Sequence, residues 1–484
     1  MQPKIELLSN DLISRILDEA LQLLSNLGVK VQSPPARRLL AEAGAQVDEN
    51  NQVVQIPESL ALAALETVPR RFCLYNRAGE AAVEYGGDAV HFDPGSSGVH
   101  ILDPDTLEHR PAHSSDLVRL VKVAEMLPQY AAQSTAVVCN DAPKEIGDLY
   151  RLYIVLLHSG KPIVTGAFST QTTQVMFDML AIFAGGRAAL AERPLAVFDV
   201  CPSPPLIWSD FGAQNLIDLA RAGVPAQIVS MPLAGAAAPV TLLGAVVQHA
   251  AECLSGIAIH QLARPGSPVV WGGAPAIFDM RKGTTPMGAI ETAMIDASYA
   301  QVGKSLGLPT HAYLGASDAK LVDAQAGLES GVSALIGALA GINMISGAGM
   351  LDFLACQSPE KLVLDAEAIA MAQRLLAGMQ EHTATLALEM FAGINFKGDF
   401  LKQRLTRQLF SKEQHLPSPV IDRDSIRGWQ QAGGLDAFAR AKARVNQLLE
   451  KYQPPELPPE QVSELLKMVT HLAQAAGMDR LPYS

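Results

Sequence analysis

Six short segments of this chain set chemically capable side chains beside glycine, alanine or proline. They are Thr165-Gly166-Ala167-Phe168, Asp199-Val200-Cys201-Pro202, Ser230-Met231-Pro232, Trp271-Gly272-Gly273, Tyr313-Leu314-Gly315 and Ser346-Gly347-Ala348-Gly349. Aromatic residues make up only 5% of the chain, yet Trp208, Trp271, Phe278, Tyr313 and Phe353 fall in these segments or in loops that follow them. The negative face of an aromatic ring attracts a cation, including a quaternary ammonium with no proton to donate. Several such rings make a box for that cation, and the adjacent Gly and Ala leave room for a ligand; ordinary core packing accounts for each ring equally well. Charged residues gather at the same places, with Asp279 and Arg281 in one loop and Asp318, Lys320, Asp323 and Glu329 in the next. A solvated loop or a structural ion pair explains most residues of this kind. Asp318 is the leading candidate for a functional carboxylate, because it directly follows a strand-like run. Arg281, Lys320 or His311 would suit a ligand carboxylate through charge-assisted hydrogen bonds.

Other chemistries lack their signatures. Gly303-Lys304-Ser305 has the tail of a phosphate loop, but Ser298 stands where the first glycine is needed. Gly347-Ala348-Gly349 meets Asp352 in place of a third glycine, which fits a loop turn better than a dinucleotide site. His249 and Glu252 lie three apart on a helix without the partners of a zinc set, and read as a helix-surface pair. No GxSxG nucleophile elbow occurs.

Positioning these segments requires a repeating scaffold. Strand-like runs begin near Ala132, Pro162, Leu195, Ala226, Pro268, Pro309 and Gly341, at intervals of 30 to 42 residues. That spacing fits successive strand–helix units of a parallel sheet. Continuous apolar runs such as PIVTGAF, PLAVFDV and PVVWGGA suit strands buried on both faces. With an eighth unit expected in 385–420, the pattern predicts an α/β fold, a (β/α)8 TIM barrel, whose C-terminal strand ends carry the site. A doubly wound open sheet is the alternative, but no GxGxxG opens any unit. Residues 1–130 form an expected N-terminal α+β segment, 131–420 the barrel, and 421–484 a C-terminal helical extension. The last helix hangs on Pro454, Pro455, Pro458 and Pro459. It suits a contact between subunits of a homo-oligomer, or a cover for its own barrel.

Composition narrows the partners. With 37 Lys+Arg against 49 Asp+Glu, a net charge of −12 and no basic run, nucleic acid is excluded as the main partner. A chain that is 49% hydrophobic and 18% charged raises the question of a membrane. Residues 222–251 and 330–351 carry no Asp, Glu, Lys or Arg, and both exceed the roughly 20 residues that span a bilayer. Pro225, Pro232 and Pro239 break the first and repeated glycines the second, so both read as buried layers and no membrane is expected. The start MQPKIELLSND is not a secretory signal, and five scattered cysteines without a CxxC suit a reducing cytoplasm.

The runs GAAAPV (235–240), QLARPGSPV (261–269), DAKLVDAQAG (318–327) and SPEKLVLD (358–365), with HFDPG (91–95) and RPA (110–112), resemble the trimethylamine methyltransferase superfamily. The similarity extends from the first helix to Trp429. It implies a barrel that moves a methyl group from an amine to the cobalt of a separate corrinoid protein. Founding members insert pyrrolysine in the barrel; none is written here, so the chain is similar to the non-pyrrolysine branch, which includes glycine betaine:corrinoid methyltransferases and relatives acting on proline betaine, carnitine or γ-butyrobetaine. No Asp-x-His-x-x-Gly occurs. The corrinoid is therefore expected on a partner docked at the barrel mouth, with no metal or cofactor held by this chain. In the reaction implied, the aromatic residues cage the ammonium, and Asp318 adds electrostatic hold. Gly398-Asp399-Phe400-Leu401 departs from the Gly-His-Phe-Leu expected of relatives. Tertiary or secondary methylamines, or a non-catalytic betaine sensor, are the alternatives.

Overall fold

The computed structural model describes residues 2–392, 394, 396 and 398–483. Eight parallel strands curve into one sheet: β1 (His91–Pro94), β2 (Gln133–Ser134), β3 (Ile163–Thr165), β4 (Ala196–Val200), β5 (Ala226–Ser230), β6 (Val269–Gly273), β7 (Thr310–Tyr313) and β8 (Met344–Ala348). Each pairs with the next from β2 to β8, and β8 pairs with β1. The remaining seam is drawn together by Ala131 N donating to Phe92 O at 2.9 Å and Ser134 Oγ donating to Gly95 O at 3.1 Å. The result is a nearly closed (β/α)8 TIM barrel.

The strand expected in 385–420 is instead supplied by residues 91–94, ahead of the other seven. The described residues of 385–420 hold two short helices, Leu388–Phe391 and Arg404–Glu413. A short strand near Ala89–Phe92 is readable in the N-terminal segment, but four residues carrying His91 and Asp93 do not resemble the apolar runs of the barrel.

Eight helices follow the strands in turn: α1 (Ser114–Glu125), α2 (Gly147–His158), α3 (Thr170–Ala184), α4 (Asp210–Ala222), α5 (Leu242–Ala263), α6 (Ile290–Ser305), α7 (Ala324–Leu339) and α8 (Pro359–Leu376). Their starts are capped as the sequence permits. Ser169, Ser209, Thr241, Asp323 and Ser358 each accept from a backbone N–H of the first turn. Such caps satisfy donors that the helix itself cannot. α5 is long and apolar enough to cross a membrane, but it is mostly buried, packed among α4, α6 and the helices Asn10–Gln22 and Glu58–Thr67.

Two faces of each strand have different company. Ala132, Val164, Val197, Val270 and Met344 point inward as an apolar layer. A hairpin of Phe72–Tyr75 and Ala81–Tyr85 closes that end with Leu74, Val83 and Tyr85. Outward residues such as Phe198 pack on the helix ring, where Phe177 meets it edge-on at 5.5 Å. The C-terminal helices α9 (Ala437–Lys451) and α10 (Pro459–Ala475) lie on α1, α8, α2 and α3 of the same chain. The Pro-tethered helix thus covers its own barrel.

The run SPEKLVLD proves to be a structural staple. Lys361 Nζ donates to Asp365 Oδ2 and Ser330 Oγ, both at 2.6 Å, while Asp365 Oδ2 accepts from Gly349 N at 2.7 Å. Buried charges are tolerated when paired and hydrogen-bonded in this way. They hold the β8 turn against α7 and α8.

Candidate active site

A cavity of about 470 Å³ opens at the C-terminal ends of the strands. The period of two along a strand decides what reaches it. On β4, Val197 and Asp199 face inward, so Asp199 sits one layer above the apolar floor. On β7, His311 and Tyr313 do the same. Ser96, Asp199, Tyr313, Arg151, Phe168 and Phe211 are the principal polar and aromatic residues lining the cavity. Phe168 is 50% exposed and Met231 38%, so the rim is open and apolar.

Asp199 accepts from Gln227 Nε2 at 2.7 Å and from the Tyr313 hydroxyl at 3.3 Å, and among the described residues it has no cationic partner. Burial pushes its carboxyl up to about 7, partly offset by these two hydrogen bonds. The Tyr313 oxygen also lies 2.7 Å from Ser96 Oγ. With the tyrosine proton committed to Asp199, Ser96 is the donor of that pair. Beneath them, the Ser346 hydroxyl donates to Asp93 and takes a hydrogen bond from His311 Nε2 at 3.1 Å. That leaves His311 Nδ1 without a proton and, among the described residues, without a partner. Burial drives His311 down to about 3, so its ring is neutral near pH 7, and the same burial pushes the Asp93 carboxyl well above the ordinary carboxylate range.

Of the residues expected at the site, the structure brings only Tyr313 to the cavity wall, with His311 just below it. Trp271 points outward, because its neighbours Val270 and Gly272 take the inward positions. Its Nε1 donates to Tyr299 O at 3.0 Å, and its ring lies on α6 at Gly303, where an added Cβ would stand 2.6 Å away. Trp208 is likewise in the helix layer, donating to Ser255 Oγ at 2.9 Å on α5. Phe278 is half-buried in the β6–α6 loop, its N–H on Ala234 O at 3.0 Å. Phe353 lies under Lys320 Nζ, 3.8 Å from the ring centroid. The five-ring cage is therefore not assembled; Phe168, Phe211 and Tyr313 are the rings at the cavity.

The expected charges are similarly engaged elsewhere. Asp318 accepts from Met287 N at 2.8 Å and Gly288 N at 3.0 Å, clamping the β6–α6 loop to the β7–α7 loop, and does not line the cavity. Burial raises its carboxyl to about 6 despite those donors. Lys320 pairs with Asp352 at 3.2 Å, and Arg281 is a solvated partner of Asp279 at 2.8 Å. Asp399 forms a surface pair with Lys402 at 2.8 Å. His249 and Glu252 are no surface pair. His249 stacks on Tyr299 at 3.9 Å, and Glu252 accepts from Ser230 Oγ at 2.6 Å and Leu206 N at 3.0 Å.

Asp318→Asn presents an amide N–H₂ where one of two N–H groups now finds a carboxylate oxygen. The expected loss is about 1–3 kcal/mol of folding stability, the cost of an unsatisfied buried donor. Urea unfolding checks it, and ligand affinity of the folded variant should match the parent.

A family profile described as trimethylamine methyltransferase (MTTB) matches residues 1–477. The chain belongs to that family. Among relatives, it is 30% identical over 98% of its length to a trimethylamine methyltransferase of Desulfitobacterium hafniense (strain DSM 10664 / DCB-2), covering 95% of that protein. A glycine betaine methyltransferase of Desulfitobacterium hafniense (strain Y51) is 28% identical, with 98% of each chain covered. That likeness supports placing this MTTB-family chain in the non-pyrrolysine branch. The crystal structure of monomethylamine methyltransferase from Methanosarcina barkeri shares the fold at a TM-score of 0.55 and 11% identity, over 92% of this chain and 89% of that one.

Sequence reasoning passed over Asp199, Arg151, Phe168 and Phe211 as site residues. Half of the signal for Asp199 is local: two residues after Val197, it shares that residue's face of the strand, but which face turns into the barrel is decided by the neighbouring strands. Arg151 had none, since a helix residue reaches the mouth only through tertiary packing.

Proposed function

We propose that this enzyme moves a methyl group from a quaternary amine, of the glycine betaine class, to Co(I) of a separate corrinoid protein. The observation that carries this reading is Asp199, a carboxylate at the strand ends that faces an open cavity and forms no ion pair among the described residues. A permanently charged ammonium is the partner such a group lacks. Relatives named for trimethylamine and for glycine betaine support a methylated amine.

The chemistry asks little of the protein beyond placement. A quaternary nitrogen leaves as a neutral tertiary amine, so no general acid is required, and the gain comes from orientation of one methyl toward the acceptor. Asp199 and the faces of Tyr313 and Phe211 hold the cation. Tyr313, braced by Ser96, fixes the carboxylate. Cobalt is the acceptor substrate, brought by the partner to the rim at Phe168 and Met231.

Mixing the enzyme with a reduced corrinoid partner and candidate amines tests this directly. A quaternary betaine should drive the spectral change from Co(I) to methyl-Co(III). Change with trimethylamine alone would instead favour the tertiary-amine activity for which several relatives are named. Binding without any change would favour a sensor.

A further inference from the structure

The cavity holds a second uncompensated charge. Arg151 on α2 is 1% exposed, yet it lines the cavity together with Ser96, Phe168 and Asp199. Its Nη1 donates to Ser97 Oγ at 3.1 Å and to the Thr135 carbonyl at 3.0 Å. Its Nε is buried with no partner, and Nη2 makes no hydrogen bond among the described residues. The guanidinium lies over the Phe168 ring, 4.7 Å from the centroid. Among the described residues no carboxylate comes within salt-bridge distance; the nearby Asp148 spends its oxygens on Leu149 N, Phe168 N and Thr172 Oγ1.

A buried guanidinium without an anion is costly, and removing one partner of a buried pair typically leaves several kcal/mol uncompensated. Guanidinium is also the side chain whose fork fits a carboxylate through two parallel N–H donors. Here the free donors, Nε and Nη2, are the pair that forms one edge of the fork. The same cavity therefore carries a cation and an anion that are each without an ion-pair partner among the described residues.

We infer that Arg151 is the receptor for a substrate carboxylate, so that the cavity selects a zwitterion whose methylated ammonium sits by Asp199 and whose carboxylate sits on Arg151. The substrate class is then an N-methylated amino acid, and simple methylamines and choline-like cations are poor ligands. This rests on the quaternary-amine reading and names the feature that divides substrates within it. It also moves the carboxylate contact from Arg281 and Lys320, which are paired on the surface, to a buried residue.

Calorimetry on the full chain, with halves of the ligand, tests the inference. The probes are the tightest of glycine betaine, proline betaine, carnitine and γ-butyrobetaine; tetramethylammonium, which is the cation alone; and 3,3-dimethylbutanoate, which keeps the shape and carboxylate of glycine betaine with carbon in place of nitrogen. The betaine should bind at least about tenfold more tightly than either half. Arg151→Gln should weaken the betaine and the butanoate by about 10- to 100-fold while tetramethylammonium affinity stays unchanged, which also reports that the cavity is intact. If Arg151→Gln does not fold, Arg151→Lys and the parent series decide, with Lys giving a smaller loss of the same pattern. Tetramethylammonium binding as tightly as every betaine, or an unaltered betaine affinity in a folded Arg151 variant, overturns the inference. Methyl transfer from quaternary amines lacking a carboxylate, at rates equal to betaine, overturns it while leaving the quaternary-amine reading intact. Transfer from tertiary amines alone overturns that reading itself.

Discussion

Asp199→Asn removes the charge that faces the cavity and keeps the shape, and kcat/KM for a betaine should fall by roughly two orders of magnitude. A carboxylate and an ammonium about 5 Å apart at an effective dielectric near 20 attract by about 3 kcal/mol. The pH dependence separates this from a packing defect. The Asp199 carboxyl sits at about 7, so affinity of the parent for tetramethylammonium should decline as pH falls below that value, approaching tenfold per pH unit. In the Asn variant the decline should vanish. Stability moves the other way. The folded chain holds the Asp199 proton more tightly than the unfolded chain, whose carboxyl lies near the ordinary 3.8. Folding stability therefore drops as pH rises from 3.8 to 7 and stays lower above. The Asn variant escapes that loss and should be at least as stable as the parent at pH 8. A variant equally active, or one with the parent's pH profile, would remove Asp199 from the site.

Trp271→Ala should cost about 3–5 kcal/mol of folding stability, the range for deleting a large buried aromatic side chain. The ring is fully buried against α6, and Gly303 is small because the indole occupies the space a side chain would need. Trp271→Phe keeps most of the volume but leaves the Tyr299 carbonyl without its indole donor, so its cost should be nearer 1–3 kcal/mol. In both variants the folded fraction should bind a betaine as the parent does. Urea titration with calorimetry on the folded state separates the two effects. A loss of affinity without a loss of stability would restore the tryptophan to a cation cage.

These two residues show how far a one-dimensional reading carries. Both tail a strand-like run, and both were visible as chemically capable. A rare aromatic beside two glycines looks like a ligand contact, whereas one carboxylate in an apolar run resembles an ordinary strand end. Their true roles follow from parity along the strand. In PLAVFDV, Val197 lines the barrel floor and Asp199 shares its side; in PVVWGGA, Val270 does so and Trp271 does not. Which parity faces inward is set by neighbouring strands and the closure of the barrel, and those are non-local.

Repeat spacing, apolar runs and helix caps are local properties, and they were enough to announce a (β/α)8 barrel, at whose C-terminal mouth the cavity opens. The family motifs were legible for the same reason, although SPEKLVLD and DAKLVDAQAG turned out to staple loops rather than touch the cavity. The eighth strand was legible only as a short strand near Ala89–Phe92 of the N-terminal segment, not as part of the barrel. Residues 91–94 are short and polar, and nothing local shows that β8 will offer them its edge. Tertiary structure alone also joined Arg151, from a helix, to Asp199, from a strand 48 positions later in the chain. Spacing along a sequence can predict which elements form, because each element is stabilised by its own periodicity. It cannot predict which buried charges lack a partner, since that depends on every side chain the completed fold brings within reach.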